Sequence, residues 1–139
     1  MGKCQIEGEI AASPAAVWEV VRDFGGVKRW SPSVASCELE GSGLGAVRTI
    51  KMGEMIIRER LEKLDEGART LSYSILEAPF PVQDYLATMK VVESAPGRTK
   101  LEWGSSFQSS GGLDENQLRD IFIGVYQQGI EGIRRAVGA

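Results

Sequence analysis

Val47-Arg48-Thr49-Ile50-Lys51-Met52-Gly53-Glu54-Met55-Ile56-Ile57-Arg58-Glu59-Arg60-Leu61-Glu62-Lys63-Leu64 is the stretch on which the fold turns. Gly53-Glu54 interrupts two alternating runs, with glycine first as a type II′ hairpin turn prefers. With those two residues at the centre of the turn, Met52 opposes Met55, Ile50 opposes Ile57 and Arg48 opposes Glu59. All six share one face, because alternate residues of a strand point the same way and opposed partners lie about 5 Å apart. Thr49, Lys51, Arg58 and Arg60 fall on the other, wetter face. The register therefore sets one arginine against one glutamate at the far end of an apolar inner stripe. We expect that pair to be largely buried and to act as a polar anchor; such a pair is poor evidence for stability, but removing one partner should cost several kcal/mol.

Working outward, the period of the hydrophobic pattern divides the chain. Residues 4–11 alternate as a strand. Ser13-Pro14 supplies an N-cap and a first-turn proline, and a short amphipathic helix follows with Val17, Val20, Val21 and Phe24 on one face. Gly25-Gly26 ends it, and a second short helix at 27–30 is stopped by Ser31-Pro32. Strands are then expected at 34–39, 47–52, 55–64, 70–76, 85–92 and 99–107, separated by short Gly, Pro and Asp turns. Gaps this short require antiparallel neighbours. Asp114 with Gln117 three residues on is a capping box. It opens a long helix to the C-terminus, on which Leu118, Phe122, Val125, Gly129, Ile133 and Ala136 form one face. The expected architecture is α+β: a curved seven-stranded antiparallel sheet around a terminal helix, with two short helices after the first strand. Residues 1–139 are expected to form one domain.

Composition excludes several kinds of function. The 139 residues are 42% hydrophobic and 25% charged, with a net charge of −3. That mild acidity offers no field for a phosphate backbone, so no nucleic-acid partner is expected. No histidine is present, which removes Ser-His-Asp and Cys-His catalysis, His-ligated zinc and imidazole acid/base chemistry. Cys4 and Cys37 are too few and too far apart for a zinc cluster, and no cofactor or metal is expected. The N-terminus carries Glu7 where a signal peptide would be apolar, and no apolar run approaches a membrane span. A soluble cytoplasmic protein with reduced thiols is the expectation.

Several strings resemble those of the START-like superfamily, also called SRPBCC or birch-pollen-allergen-like. Within it the chain is most similar to the polyketide cyclase/dehydrase and lipid-transport family. The strings are Ser13-Pro14-Ala15-Ala16-Val17-Trp18, Phe24-Gly25-Gly26 with Trp30-Ser31-Pro32, and Glu59-Arg60-Leu61 with Leu64-Asp65. Tyr73-Ser74-Ile75 and Pro79-Phe80-Pro81-Val82 followed by Tyr85 complete them. The resemblance spans the chain and implies a helix-grip fold, with a cavity between sheet and long helix that takes an apolar small molecule. A more distant resemblance links Glu59 and Tyr85 to the pocket glutamate and tyrosine of plant abscisic-acid receptors. There a gate loop, an anchoring lysine and a His-Arg-Leu latch do the work. Here stand the tight turn Gly53-Glu54, no lysine counterpart, and Phe80-Pro81-Val82, so abscisic acid is not implied as ligand.

The candidate lining combines these readings. Arg48, Ile50, Ile57 and Glu59 come from the hairpin. Tyr73 and Ile75, with Tyr85, Ala87 and Met89, share phase on adjacent strands, and inward tyrosines with one polar tip suit a pocket that orients a ligand. Phe80 and Val82 sit in a stiff two-proline loop, read as a lip over the cavity mouth. Phe122, Val125 and Gly129 come from the terminal helix, with Gly129 read as leaving volume for a ligand. The phase of Trp103 is ambiguous, because Gly104 and Ser106 compete with it for the inner face. No catalytic set assembles. The expected function is binding of a lipid, polyketide or isoprenoid type of molecule. The alternative is a cyclase/aromatase or dehydratase using Glu59 with Tyr73 or Tyr85. Nothing in the sequence identifies a protein partner.

Overall fold

The computed structural model describes residues 2–138. β1 (Gly2–Ile10) is followed by α1 (Pro14–Arg22) and a single 3-10 turn (Val27–Arg29). Six strands come next: β2 (Ser36–Glu40), β3 (Val47–Met52), β4 (Met55–Asp65), β5 (Thr70–Glu77), β6 (Val82–Ala95) and β7 (Arg98–Ser109). The long helix α2 (Glu115–Ala136) ends the chain. All seven strands form one sheet in the order β1-β7-β6-β5-β4-β3-β2, with every pair antiparallel. The α+β helix-grip arrangement is thus as the sequence implies. The second short helix shrinks to one 3-10 turn, because Trp30 and Val34 turn into the core within a few residues of its start.

Six of the strands follow one another across the sheet, so only the link from β1 to β2 must travel from one edge to the other. That link carries α1, which covers part of the concave face. Ser13 caps α1 by accepting from the amide of Ala16, and Val17, Val20 and Val21 are buried beneath it. Trp18 donates from Nε1 to Glu66 at 2.6 Å, and Arg22 reaches the same carboxylate. The start of the crossover is thereby tied to the β4–β5 turn. Register shifts in β4 at Arg58/Glu59 and Leu61/Lys63, and in β6 at Gln83/Leu86, bend the strands as bulges do.

α2 begins with the expected capping box, Asp114 and Gln117 each satisfying the other's backbone amide. Its buried stripe runs Leu118, Phe122, Tyr126, Gly129, Ile130, Gly132, Ile133. Val125 is 47% exposed, which corrects the expected face. After Phe122 a step of three and a step of four residues both keep the helical phase, and Tyr126 takes the inner position because its ring stacks on Trp103 at 4.8 Å. The glycines of α2 answer to different causes. A methyl group on Gly132 would overlap the carbonyl oxygen of Trp30, and one on Gly129 would lie 2.5 Å from the Trp103 ring, whereas nothing lies within 4 Å of Gly124. Close approach of backbone to backbone is a use only glycine can serve. No helix among the described residues is long and apolar enough to cross a membrane.

Gly124→Ala is therefore expected to raise unfolding free energy by about 1 kcal/mol, the helix-interior cost of glycine. Gly132→Ala is expected to lower it by about 3 kcal/mol or more, because a backbone clash cannot relax through a rotamer. Urea denaturation of the two variants checks both signs.

Candidate functional site

The hairpin has the expected register, with Arg48 opposite Glu59, Ile50 opposite Ile57 and Met52 opposite Met55. Gly53 sits at φ +60°, while Glu54 has no positive φ, the combination a type II′ turn requires. Arg48 and Glu59 are 6% and 8% exposed. Nε of Arg48 donates to Glu59 Oε1 at 2.8 Å, Nη2 lies 2.8 Å from the same oxygen, and Nη1 donates to the carbonyl of Phe24 at 3.2 Å. The guanidinium carbon is 4.0 Å from the centroid of the Phe24 ring and 4.9 Å from that of Tyr73. Removing two charges from water is costly; here opposite charge, a backbone acceptor and two ring faces offset that cost together.

Beyond the pair the interior is aromatic. Tyr73 is packed against Tyr85 with centroids 6.2 Å apart, and Tyr85 against Phe122 at 5.0 Å. Phe122 also meets Phe107 at 5.0 Å and Phe80 at 6.0 Å, both edge-on. Polar tips run through these rings. The Tyr85 and Tyr126 hydroxyls share a short hydrogen bond, Tyr126 donates to Ser105 Oγ at 2.8 Å, and Cys4 Sγ lies 3.4 Å from that oxygen. Trp103 donates from Nε1 to the Tyr73 hydroxyl at 3.2 Å. Both cysteines are free thiols, and burial pushes that of Cys37 above its ordinary value. Among the described residues no cluster of carboxylates and thiols is arranged to hold a metal.

The structure brings most of the expected residues together. Arg48, Ile50, Ile57, Glu59, Tyr73, Tyr85, Ala87, Met89 and Phe122 are buried on the concave side, while Ile75, Phe80 and Val82 are half-buried at its margin. Two do not belong. Val125 faces outward, and Gly129 leaves no volume, because the rings of Trp103 and Trp30 already fill the space its missing side chain vacates. Gly129→Leu would collide with those rings rather than line a cavity. Phe80 is half-buried and seated edge-on against Phe122.

Sequence reasoning missed Phe24, Ser105 and Tyr126, and left open the face of the strand that carries Trp103 and Phe107; the structure turns both rings inward. Strict alternation from Leu101 to Phe107 gives Trp103 and Ser105 the inner phase, and Tyr126 lies midway between Phe122 and Ile130 at helical steps of four. The rings meet one another here rather than surrounding open space. A groove of about 490 Å³ lies instead on the opposite, convex face over Gly104 and Thr88.

Burial is the main cause that pushes Tyr73, Tyr85 and Tyr126 above the ordinary phenol value of 10.0, with neighbouring charge adding to it. These are the only tyrosines in the chain. A folded pKa raised above the unfolded one contributes stability that is whole below pH 10 and is lost as pH climbs beyond it. In an alkaline titration, tyrosinate absorbance is therefore expected only together with loss of the circular-dichroism signal. Ionisation of any one tyrosine in the folded protein would contradict the closed interior.

Residues 1–138 match the family model described as polyketide cyclase / dehydrase and lipid transport. Among solved structures, XoxI from Bacillus cereus is 30% identical over 99% of this chain and 96% of its own, with a TM-score of 0.89. A protein from Thermobifida fusca is also 30% identical, over 99% of this chain and 94% of its own, with a TM-score of 0.88. An aromatase/cyclase from a Streptomyces species superposes with a TM-score of 0.71 over 97% of this chain and 90% of its own, at 21% identity, a likeness of fold. With its helix-grip fold and a match that runs from end to end, this chain belongs to the polyketide cyclase / dehydrase and lipid transport family, within the START-like superfamily.

Proposed function

We propose that the protein binds a hydrophobic small molecule of the lipid, polyketide or isoprenoid type between the sheet and α2, and carries it unchanged. The observation behind this reading is a continuous path of rings leading from the surface to one buried polar point. Phe80, half-buried in the β5–β6 loop, touches Phe122, which touches Tyr85, which touches Tyr73, whose face lies on Arg48. Pockets for such molecules are mainly apolar with a few placed polar groups, and this strip has that character. Binding along it would separate rings now in contact, beginning with the edge-on contact of Phe80. Carriage rather than chemistry is favoured because no free base faces the strip: Glu59 is paired with Arg48, and the phenols stay protonated.

A second reading draws on those same phenols. Turned out of their chain to Ser105, the hydroxyls of Tyr85 and Tyr126 would donate toward oxygen charge as it develops on a polyketide, the type of stabilisation a cyclase/aromatase or dehydratase needs. Turnover of a poly-β-ketone substrate that is lost in Tyr85→Phe would favour this reading.

Native mass spectrometry of protein purified from its own host is expected to show a co-purifying lipophile. Phe80→Ala is expected to speed dissociation of a fluorescent lipophilic probe severalfold while costing about 1–2 kcal/mol in stability, less than a fully buried phenylalanine would. Protein that carries no lipophile and binds no such probe would overturn the binding reading.

A further inference from the structure

Arg48 and Glu59 are the only buried charged residues among those described. Both contacts of Arg48 with Glu59 fall on Oε1, and no donor among the described residues is bonded to Oε2. Every fully sealed side-chain oxygen and nitrogen among the described residues has a partner. Oε2 is therefore not fully sealed, although its residue is more than nine-tenths buried. The ion pair thus presents one acceptor without a protein partner beside a guanidinium that is already engaged.

That guanidinium is poorly placed to receive an anion. Its faces are covered by Phe24 and Tyr73, and all three of its nitrogens are directed at Glu59 or the Phe24 carbonyl. Every lysine of the chain is exposed or only half-buried, so no second cation waits inside. The pair is also electrically neutral as it stands, and a ligand carboxylate or ammonium would add a net charge to a dry interior at high cost. A pure hydrocarbon has the opposite fault, since it would strip Oε2 of solvent and leave it unpaired. What matches an ionised acceptor next to a satisfied cation is an uncharged donor.

We propose that the ligand of this site is an uncharged, largely apolar molecule whose polar end is an alcohol or phenol hydroxyl donating to Oε2 of Glu59. This rests on the binding reading above and adds the chemistry of the group that is recognised. The hydroxyl end lies at the ion pair, and the apolar body lies along the ring path toward Phe80.

Three probes of one shape test it: naphthol, naphthalene and naphthoate, titrated at neutral pH by calorimetry or fluorescence. The wild-type protein is expected to bind naphthol about tenfold more tightly than naphthalene, as one hydrogen bond to a charged acceptor provides, and naphthoate more weakly than either. Arg48→Met/Glu59→Leu removes both charges together, so no partner is stranded. It is expected to bring the naphthol-to-naphthalene ratio close to one, whatever its effect on naphthalene affinity itself. Equal binding of naphthol and naphthalene by the wild type, or preference for naphthoate, would overturn the hydroxyl assignment and leave the binding reading standing. A naphthol preference that survives in the double variant would overturn the role of Glu59. Failure of all three probes would overturn both readings. The wild-type ranking decides the matter even if the double variant does not fold.

Discussion

The buried pair of Arg48 and Glu59 is the constraint on which the rest of the concave face depends. Its position follows from the two-residue turn at Gly53-Glu54, because strand side chains alternate and a slip of one residue would exchange Ile50 and Ile57 for Thr49 and Arg58. Once the pair is inside, it must be satisfied, and the groups that satisfy it come from distant parts of the chain. Phe24, just beyond α1, gives a carbonyl and a ring face; Tyr73 from β5 gives the other face. The pair therefore fastens the β1-to-β2 crossover to the middle of the sheet, while Trp18 and Arg22 fasten its other side to Glu66.

The second constraint is the approach of α2. Gly132 admits the Trp30 carbonyl, Gly129 admits the Trp103 ring, and on the sheet side Gly8 of β1 leaves room for Ile130. These contacts fix the rotation of the helix and thus decide that Phe122 and Tyr126 point inward. Phe122 is then surrounded by Phe80, Tyr85 and Phe107, and Tyr126 closes the hydroxyl chain to Tyr85 and Ser105. Helix position and site chemistry are one problem, because a turn of the helix would unpair two hydroxyls and open the ring path together.

What could be read in the sequence was local. The hairpin register, the capping box at Asp114 and Gln117, the N-cap at Ser13 and the antiparallel order all follow from turn and cap chemistry within a few residues, and the structure has each of them. The resemblance of short ordered strings carried the helix-grip fold. Choices settled by contacts far along the chain escaped. Val125 and Tyr126 are equally compatible with helical phase until Trp103 is present to stack on one of them. The same ring turns Gly129 from apparent spare volume into a point of close packing. Phe24 reads in the sequence as the last apolar residue of a short helix, and nothing nearby shows that its carbonyl meets an arginine twenty-four residues on.

The central claim is that Arg48 and Glu59 act as one unit in a dry interior. A double-mutant cycle on unfolding free energy tests it most directly, using Arg48→Met, Glu59→Leu and the two combined. Each single change is expected to cost about 3–5 kcal/mol, because it leaves an uncompensated buried charge. The combined change is expected to cost far less than their sum, and less than either alone. Single variants as stable as the parent, or a combined loss equal to the sum, would contradict the account.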